Sequence, residues 1–486
     1  MTFSDLNDRV TVILADRRRF AALFGLGCAL LALTHFQHSA AALAAQTVYP
    51  DLGASAQSGP LIEIIHTSIL IYLFALYFLT LFNWSRLNFR LRDLIWIGIP
   101  IGLLAWITLP ANSTDVLMYI ALGRIAGVYG ANPYLHTYYE FADDYTPYVE
   151  WDLPMPYGPV MLPFFIPPGW ISQFSVVGAI YLTKLFWLLI SVGNCWLLYL
   201  ILKSEGRDAG RGVFIFGFNP LVLLELIING HNDGVLIFFG LLAFWALRRE
   251  WFASALLLAF LAVLVKFSGV FICLGVAIYL LRKKRWKEIG LATVASLASS
   301  LLFMLTLFPT IGDAKNLMHD VPYAQNSLHY LLIEFIMQMG ARFGNPLDFH
   351  EVLTLDRRVF ALIFFGFCLW RLSIIRDFSG LVREVGLVLM ALLIGYAAWF
   401  FPWYATWLLP FAVLTEDDRL KRVIIIFSLT VTALYAFPHW LITEAPGHWV
   451  WDTLRILIVH AVPLGLVVFW RLNRTHQLVK TADLQL

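Results

Sequence analysis

The chain has 486 residues, of which 60% are hydrophobic, 16% aromatic and only 14% charged. A soluble domain carries about 25% charged residues, so the composition excludes soluble, disordered and fibrous classes and describes an all-α, polytopic transmembrane helix bundle. Thirty-four Lys and Arg against 32 Asp and Glu leave a net charge of +2, which gives no electrostatic case for a nucleic-acid partner.

A membrane-crossing helix needs about 20 apolar residues. In chain order, such segments fall near 20–36, 61–83, 94–110, 176–202, 212–229, 234–248, 252–265, 267–281, 288–308, 359–375, 385–401, 403–415, 423–441 and 454–471, about 14 in all. Alternate connections hold 26 of the 34 basic residues, from Arg9, Arg17, Arg18 and Arg19 to Arg471, Arg474 and Lys480. Cytoplasmic loops carry the Lys/Arg excess, so both termini are expected in the cytoplasm. Arg17 to Arg19, an apolar run and Ala42-Leu43-Ala44 resemble a signal peptide; the long run and late triplet favour a retained first helix. Cys28, Cys195, Cys273 and Cys368 stand singly in apolar runs, with neither metal-ligand spacing nor a disulfide framework. No fixed-period repeat divides the chain, which reads as one domain over 1–486.

Two external segments, 111–175 and 309–358, are too long to be turns. The first opens with Asn112-Ser113-Thr114-Asp115, and apolar residues at 116, 117, 120, 121, 125 and 128 predict an amphipathic helix at the interface. Ser113 or Thr114 would be its N-cap and Asp115 a first-turn acid; alternatively, Asp115 is a general base at the membrane edge. Asp143-Asp144 reads as a solvated acidic turn, or as a place for acceptor hydroxyls or for Mg²⁺ or Mn²⁺. The second segment contains His319, Asp320, His329, Glu334 and His350, with an amphipathic stretch from Leu328 to Met339.

Asn219-Pro220-Leu221, Glu225 and Gly230-His231-Asn232-Asp233 lie between two short apolar runs whose far ends are basic. His231, Asn232 and Asp233 therefore belong to an external hairpin tip, with Glu225 one turn deeper. Ionisable groups at that depth are costly; they form either a packing network or a functional site. Lys266, midway between two basic ends, suits a phosphate on a lipid headgroup or snorkels to the interface. Trp403 and Tyr404, at another external tip, belong to the interfacial aromatic belt, stack on sugars or grip a prenyl chain.

Ser113 to Tyr119 with the following Gly-Arg, Asn132-Pro133-Tyr134 and Pro156-Tyr157-Gly158-Pro159 resemble the first-loop signature of integral-membrane GT-C glycosyltransferases. The branch most similar is the bacterial polyprenol-phosphate-mannose-dependent alpha-1,6-mannopyranosyltransferases; Asn219-Pro220-Leu221, Gly230 to Asp233, Val265-Lys266-Phe267 and Phe401 to Tyr404 fit it in the same order. The resemblance spans about 94–415. It implies inverting transfer of a sugar, mannose in that branch, from a polyprenyl phosphate to a glycan or glycolipid acceptor on the external face, with Asp115 as base. It also implies donor contacts from Tyr119, Arg124, Lys266, Trp403 and Tyr404. Sugar or acceptor contacts would come from Asn132, Tyr134, Asp143, Asp144, Tyr157, Glu225, His231, Asn232 and Asp233. The acid at 115 stands alone, without the Asp-x-Asp or Glu-Asp pair of other GT-C branches. The expectation is therefore metal-free, Arg124 or Lys266 balancing the leaving phosphate, with Mg²⁺ or Mn²⁺ as the less favoured cofactor. A transporter or flippase of lipid-linked sugars is the alternative class, which would place polar groups near the midplane in paired repeats.

Overall fold

The computed structural model describes residues 3–48, 59–308, 310, 323–436, 450 and 452–467. Among them the chain is helical throughout, with a single parallel bridge between Gln325 and Trp399. His319 and Asp320 lie outside the described residues, as do parts of the expected spans 423–441 and 454–471.

Side-chain caps divide the hydrophobic sequence into helices, because each helix start leaves N–H groups without partners. After α1 (Phe3–Ala15), Asp16 accepts from the Arg18 amide at 2.9 Å and opens α2 (Arg17–Ala44). The Ala42-Leu43-Ala44 triplet is thus the last turn of α2. α3 (Gly59–Phe82), α4 (Trp84–Leu87) and α5 (Leu91–Ile107) follow, α4 ending on Asn88 with φ of 50°.

The first external segment contains α6 (Asp115–Gly127) and α7 (Leu162–Ile171). Their backbones touch: a Cβ on Gly123 would lie 1.8 Å from the Phe165 carbonyl oxygen. Only glycine permits that approach. α6 was expected to lie amphipathically at the interface. Instead Val116, Leu117, Ile120, Ala121 and Ile125 are buried along with Tyr119 and Arg124, because α7 and α8 (Val176–Ser204) cover it.

α9 (Ala209–Gly217) ends at Asn219-Pro220. Asn219 Oδ1 accepts from the Leu221 amide and caps α10 (Pro220–Val222), with Pro220 at the first position, where its missing N–H costs nothing. α10 runs straight into a π-helical stretch, Leu223–Ile228, and this 220–228 unit is bent by 50° from α9 across the break at 218–219. π-turns that interrupt helices are frequent at functional sites; this one carries Glu225. α11 (Asp233–Arg248), α12 (Phe252–Val263) and α13 (Val270–Arg282) then form two hairpins. α14 (Trp286–Leu307), α15 (Leu328–Arg342), α16 (Phe349–Ser373) and α17 (Phe378–Gly395) precede a 3₁₀ segment, Pro402–Leu408, which continues into α18 (Leu409–Leu414) and α19 (Asp418–Thr430).

This is a multi-pass membrane protein. Five described helices, α2, α3, α8, α14 and α17, are long and apolar enough to cross a bilayer, and six if the bent pair of α9 with 220–228 is one span. The other expected segments fall largely on shorter helices: α5 has 17 residues, α12 has 12 and α13 has 13. α14 has only 6% of its apolar window buried against 61% for α17, so α14 turns most of its surface outward.

Candidate active site

Asp115 is the first residue of α6. Thr114 occupies the N-cap position but gives its hydroxyl to Glu150; Ser113 Oγ accepts from the Asp115 amide at 3.2 Å. One turn on, the Tyr119 hydroxyl donates to Asp115 Oδ2 at 3.1 Å. On the other side, His231 Nδ1 lies 3.3 Å from the same oxygen, and its Nε2 lies 3.2 Å from Glu225 Oε2. Asp115 keeps 24% of its side chain exposed, whereas His231 and Glu225 are fully buried. The three groups form a line from an open end to a closed one.

The π-turn and Gly230, at φ +77°, build the closed end. Asn229, four residues after Glu225, donates to Glu225 Oε2 at 3.3 Å and accepts from the Asn112 amide at 3.3 Å. Two distant loops are thereby pinned together. Trp403 covers the imidazole, stacked at 3.9 Å between centroids.

Burial alone would raise the Asp115 carboxyl, but the His231 contact, reinforced by Lys266, holds it below the ordinary carboxylate range. For His231, burial lowers the imidazole; the two carboxylates outweigh it and raise it to about 9. Burial, then the Asp115 charge, pushes Tyr119 well up, so it remains a donor.

Lys266 forms the second half of the site. Its Nζ lies 2.8 Å from Asp233 Oδ1, which also accepts from the Trp407 indole at 2.6 Å. The ammonium sits over the rings of Tyr157 and Tyr404 at 5.3 and 5.7 Å. The Pro-Tyr-Gly-Pro turn is held against the α12–α13 connection that carries Lys266: the Gly158 amide donates to the Val265 carbonyl at 3.1 Å.

The structure thus brings together Asp115, Tyr119, Tyr157, Glu225, His231, Asp233, Lys266, Trp403 and Tyr404. Asn232 lies beside them, fully buried, its amide oxygen and nitrogen both without a hydrogen-bond partner. Asn132 and Tyr134 stand one layer back. Asn132 Oδ1 turns the chain by accepting from the Tyr134 amide, and the Tyr134 hydroxyl donates to the Tyr157 carbonyl at 2.9 Å.

Arg124 and Asp143 form a separate network. Arg124 lies nine residues along α6 from Asp115, about 13 Å at helical rise. Its guanidinium pairs with Asp143, donates to the Tyr138 and Ser172 hydroxyls at 2.6 and 2.7 Å, and is buried. Asp143 also accepts from Tyr129. Asp144 is exposed. Among the described residues, no three His, Cys, Asp or Glu side chains converge to hold a metal ion.

The family model described as alpha-(1->6)-mannopyranosyltransferase, N-terminal domain, of the MptA/B family, matches residues 22–282. The chain belongs to that family. It is accordingly a mannosyltransferase. No curated protein matches the chain. The matched segment of this mannosyltransferase contains Asp115, Glu225, His231, Asp233 and Lys266, while Trp403, Tyr404 and Trp407 come from beyond it. Sequence reasoning passed over Trp407 and met Asn229 only as the first residue of the polar run 229–234, without giving it a role. Trp407 was signalled only by its place one turn after Tyr404 at the same aromatic tip.

Proposed function

We propose that this mannosyltransferase moves mannose from a polyprenyl-phosphate-linked donor to a hydroxyl of a glycan or glycolipid, with inversion, on the external (periplasmic) face of the cytoplasmic membrane. Asp115 is the general base. It deprotonates the acceptor hydroxyl as its oxygen attacks the anomeric carbon. Lys266 receives the donor phosphate and stabilises the charge that grows on it as it leaves. Its three ammonium hydrogens exceed what Asp233 Oδ1 uses, and the ring faces of Tyr157 and Tyr404 keep the cation desolvated. Tyr119, Trp403 and Tyr404 are assigned to the donor side; Asn232, whose amide oxygen and nitrogen are buried without partners, is assigned to sugar or acceptor. Arg124 and Asp143 hold the first external loop in shape, and Asp144 is left to the acceptor's approach.

The observation that carries this reading is the graded burial of the carboxylates: Asp115 is open while Glu225 and Asp233 are closed. The orientation, both termini cytoplasmic with about 14 segments, is supported by the placement of 26 basic residues in alternate connections. The test is transfer by the purified full chain in liposomes, with radiolabelled mannose on polyprenyl phosphate or on a nucleotide. Transfer from the lipid donor alone is expected. Transfer from the nucleotide sugar alone overturns the proposal.

A further inference from the structure

Between the end of α5 at Ile107 and the start of α6 at Asp115 the chain is not helical, yet Thr108, Leu109, Ala111, Asn112 and Ser113 are all buried. Such a stretch has no helical ladder to satisfy its carbonyls and amides, so in apolar surroundings they must find partners elsewhere. Side chains from three other parts of the bundle supply them. From α8, Lys184 Nζ donates to the Ala105 carbonyl at 3.3 Å and to the Thr108 carbonyl, and the Tyr181 hydroxyl donates to the Ile107 carbonyl at 3.1 Å. From α2, His35 Nδ1 donates to the Leu109 carbonyl at 3.0 Å, and the Ser39 hydroxyl donates to the Pro110 carbonyl. Just after the π-turn, Asn229 Oδ1 accepts from the amides of Ala111 and Asn112 at 3.5 and 3.3 Å. Each residue from Ile107 to Asn112 is gripped in this way, and Lys184, His35, Ser39 and Asn229 are fully buried.

Lys184 also reaches the other half of the site. A Cβ added to Gly230 would meet Lys184 Cγ at 3.4 Å and Val116 Cγ2 at 3.6 Å, so the lysine stem and the residue after Asp115 both lie against the turn that carries His231. An ionisable group at membrane depth is costly and marks a functional site by default. Here the ammonium is directed at the backbone that leads into the base.

We propose that Lys184, His35, Ser39 and Asn229 are positioning residues for the transfer: they hold 107–112 in one conformation and thereby set the Asp115 carboxylate against the acceptor hydroxyl. The inference rests on Asp115 being the base. Asp115 is the first residue of α6, so its side chain follows the chain that enters the helix. The Thr114 hydroxyl goes to Glu150 and not to the α6 amides, so the helix start depends on what holds the preceding segment. A base misplaced by about 1 Å can cost about a hundredfold in rate. A hydrogen bond that only keeps the bundle folded behaves differently: its loss lowers the folded fraction and leaves each folded molecule as fast as before.

The experiment measures kcat and both KM values for full-length wild type, Ser39→Ala, Lys184→Met, Tyr77→Phe and Asp115→Asn in liposomes, with rates counted per molecule that binds radiolabelled polyprenyl-phosphate mannose. Tyr77→Phe is the control. It removes a hydroxyl from an equally buried carbonyl, that of Ile215 at 2.9 Å, far from this segment in the sequence. In Ser39→Ala and Lys184→Met, kcat is expected to fall about tenfold or more with both KM values within about threefold of wild type. Tyr77→Phe should keep the wild-type kcat. Should Lys184→Met fail to fold, Ser39→Ala, which loses a single hydroxyl, decides alone. Wild-type kcat per donor-binding molecule in Ser39→Ala, or a loss in it expressed only in KM, overturns the proposal. So does an equal fall in Tyr77→Phe, which would show general loosening. An active Asp115→Asn would overturn the base assignment itself, a result distinct from these.

Discussion

The indole N–H of Trp407 donates to Asp233 Oδ1 at 2.6 Å across 174 positions of sequence, on the same oxygen that Lys266 grips. The contact joins the part of the chain matched by the family model to the aromatic 3₁₀ segment beyond it. Trp407→Phe keeps an aromatic ring, though a smaller one, and removes the N–H. A hydrogen bond to a charged group is worth about 1.5–3 kcal/mol, so the variant should unfold at a measurably lower temperature in detergent. Thermal unfolding monitored by tryptophan fluorescence checks it.

Lys266→Met leaves Asp233 buried with no cation. Removing one partner of a buried pair costs about 3–5 kcal/mol, so this variant should express poorly or melt early. Adding Asp233→Asn removes the orphaned charge and should recover most of that stability. Transfer should not recover, because the phosphate still lacks its cation. Unfolding curves and transfer assays on the single and double variants separate these two contributions.

Gly158 is packed so closely that a Cβ would lie 2.0 Å from the Leu264 carbonyl oxygen, a backbone atom that cannot swing aside. Gly158→Ala should push Tyr157 off Lys266 and cut kcat at least tenfold. Gly130, at φ +62° with no atom within 4 Å of an added Cβ, is the control. Gly130→Ala meets only backbone strain, about 1 kcal/mol, and should retain most activity. Steady-state kinetics on both variants make the comparison.

His231 binds its proton more tightly in the folded protein, about 9 against 6.5, so its contribution to stability is full below pH 6.5 and fades as pH rises through 9. The span corresponds to at most about 3 kcal/mol. The melting-temperature gap between wild type and His231→Gln should therefore be widest near pH 6 and shrink toward pH 9.5. Calorimetry across that range reads the sign directly.

Much of this was legible beforehand. Composition fixed the membrane class, and basic connections marked His231, Lys266 and Trp403 as belonging to hairpin tips on one side. The span count was less legible, because helices of 12 to 17 residues such as α5, α12 and α13 carry the hydropathy of a span without its length. Pairing was not legible at all. Nothing in the spacing of Asp115, Glu225 and His231 says that one imidazole sits between both carboxylates; that follows from a π-turn and from α6 packing beside α8. Arg124 illustrates the opposite limit: an isolated cation in an acid-rich loop looks available for phosphate, yet Asp143, Tyr138 and Ser172 occupy its guanidinium.

The most direct test of the account is mannosyl transfer by Asp115→Asn from radiolabelled polyprenyl-phosphate mannose. The amide preserves size and can still hydrogen-bond Tyr119, but it cannot accept a proton at neutral pH. A loss of at least a thousandfold in kcat, with the protein still monodisperse and the lipid donor still bound, is the predicted result. Transfer within tenfold of wild type would contradict the assignment of Asp115 as the base.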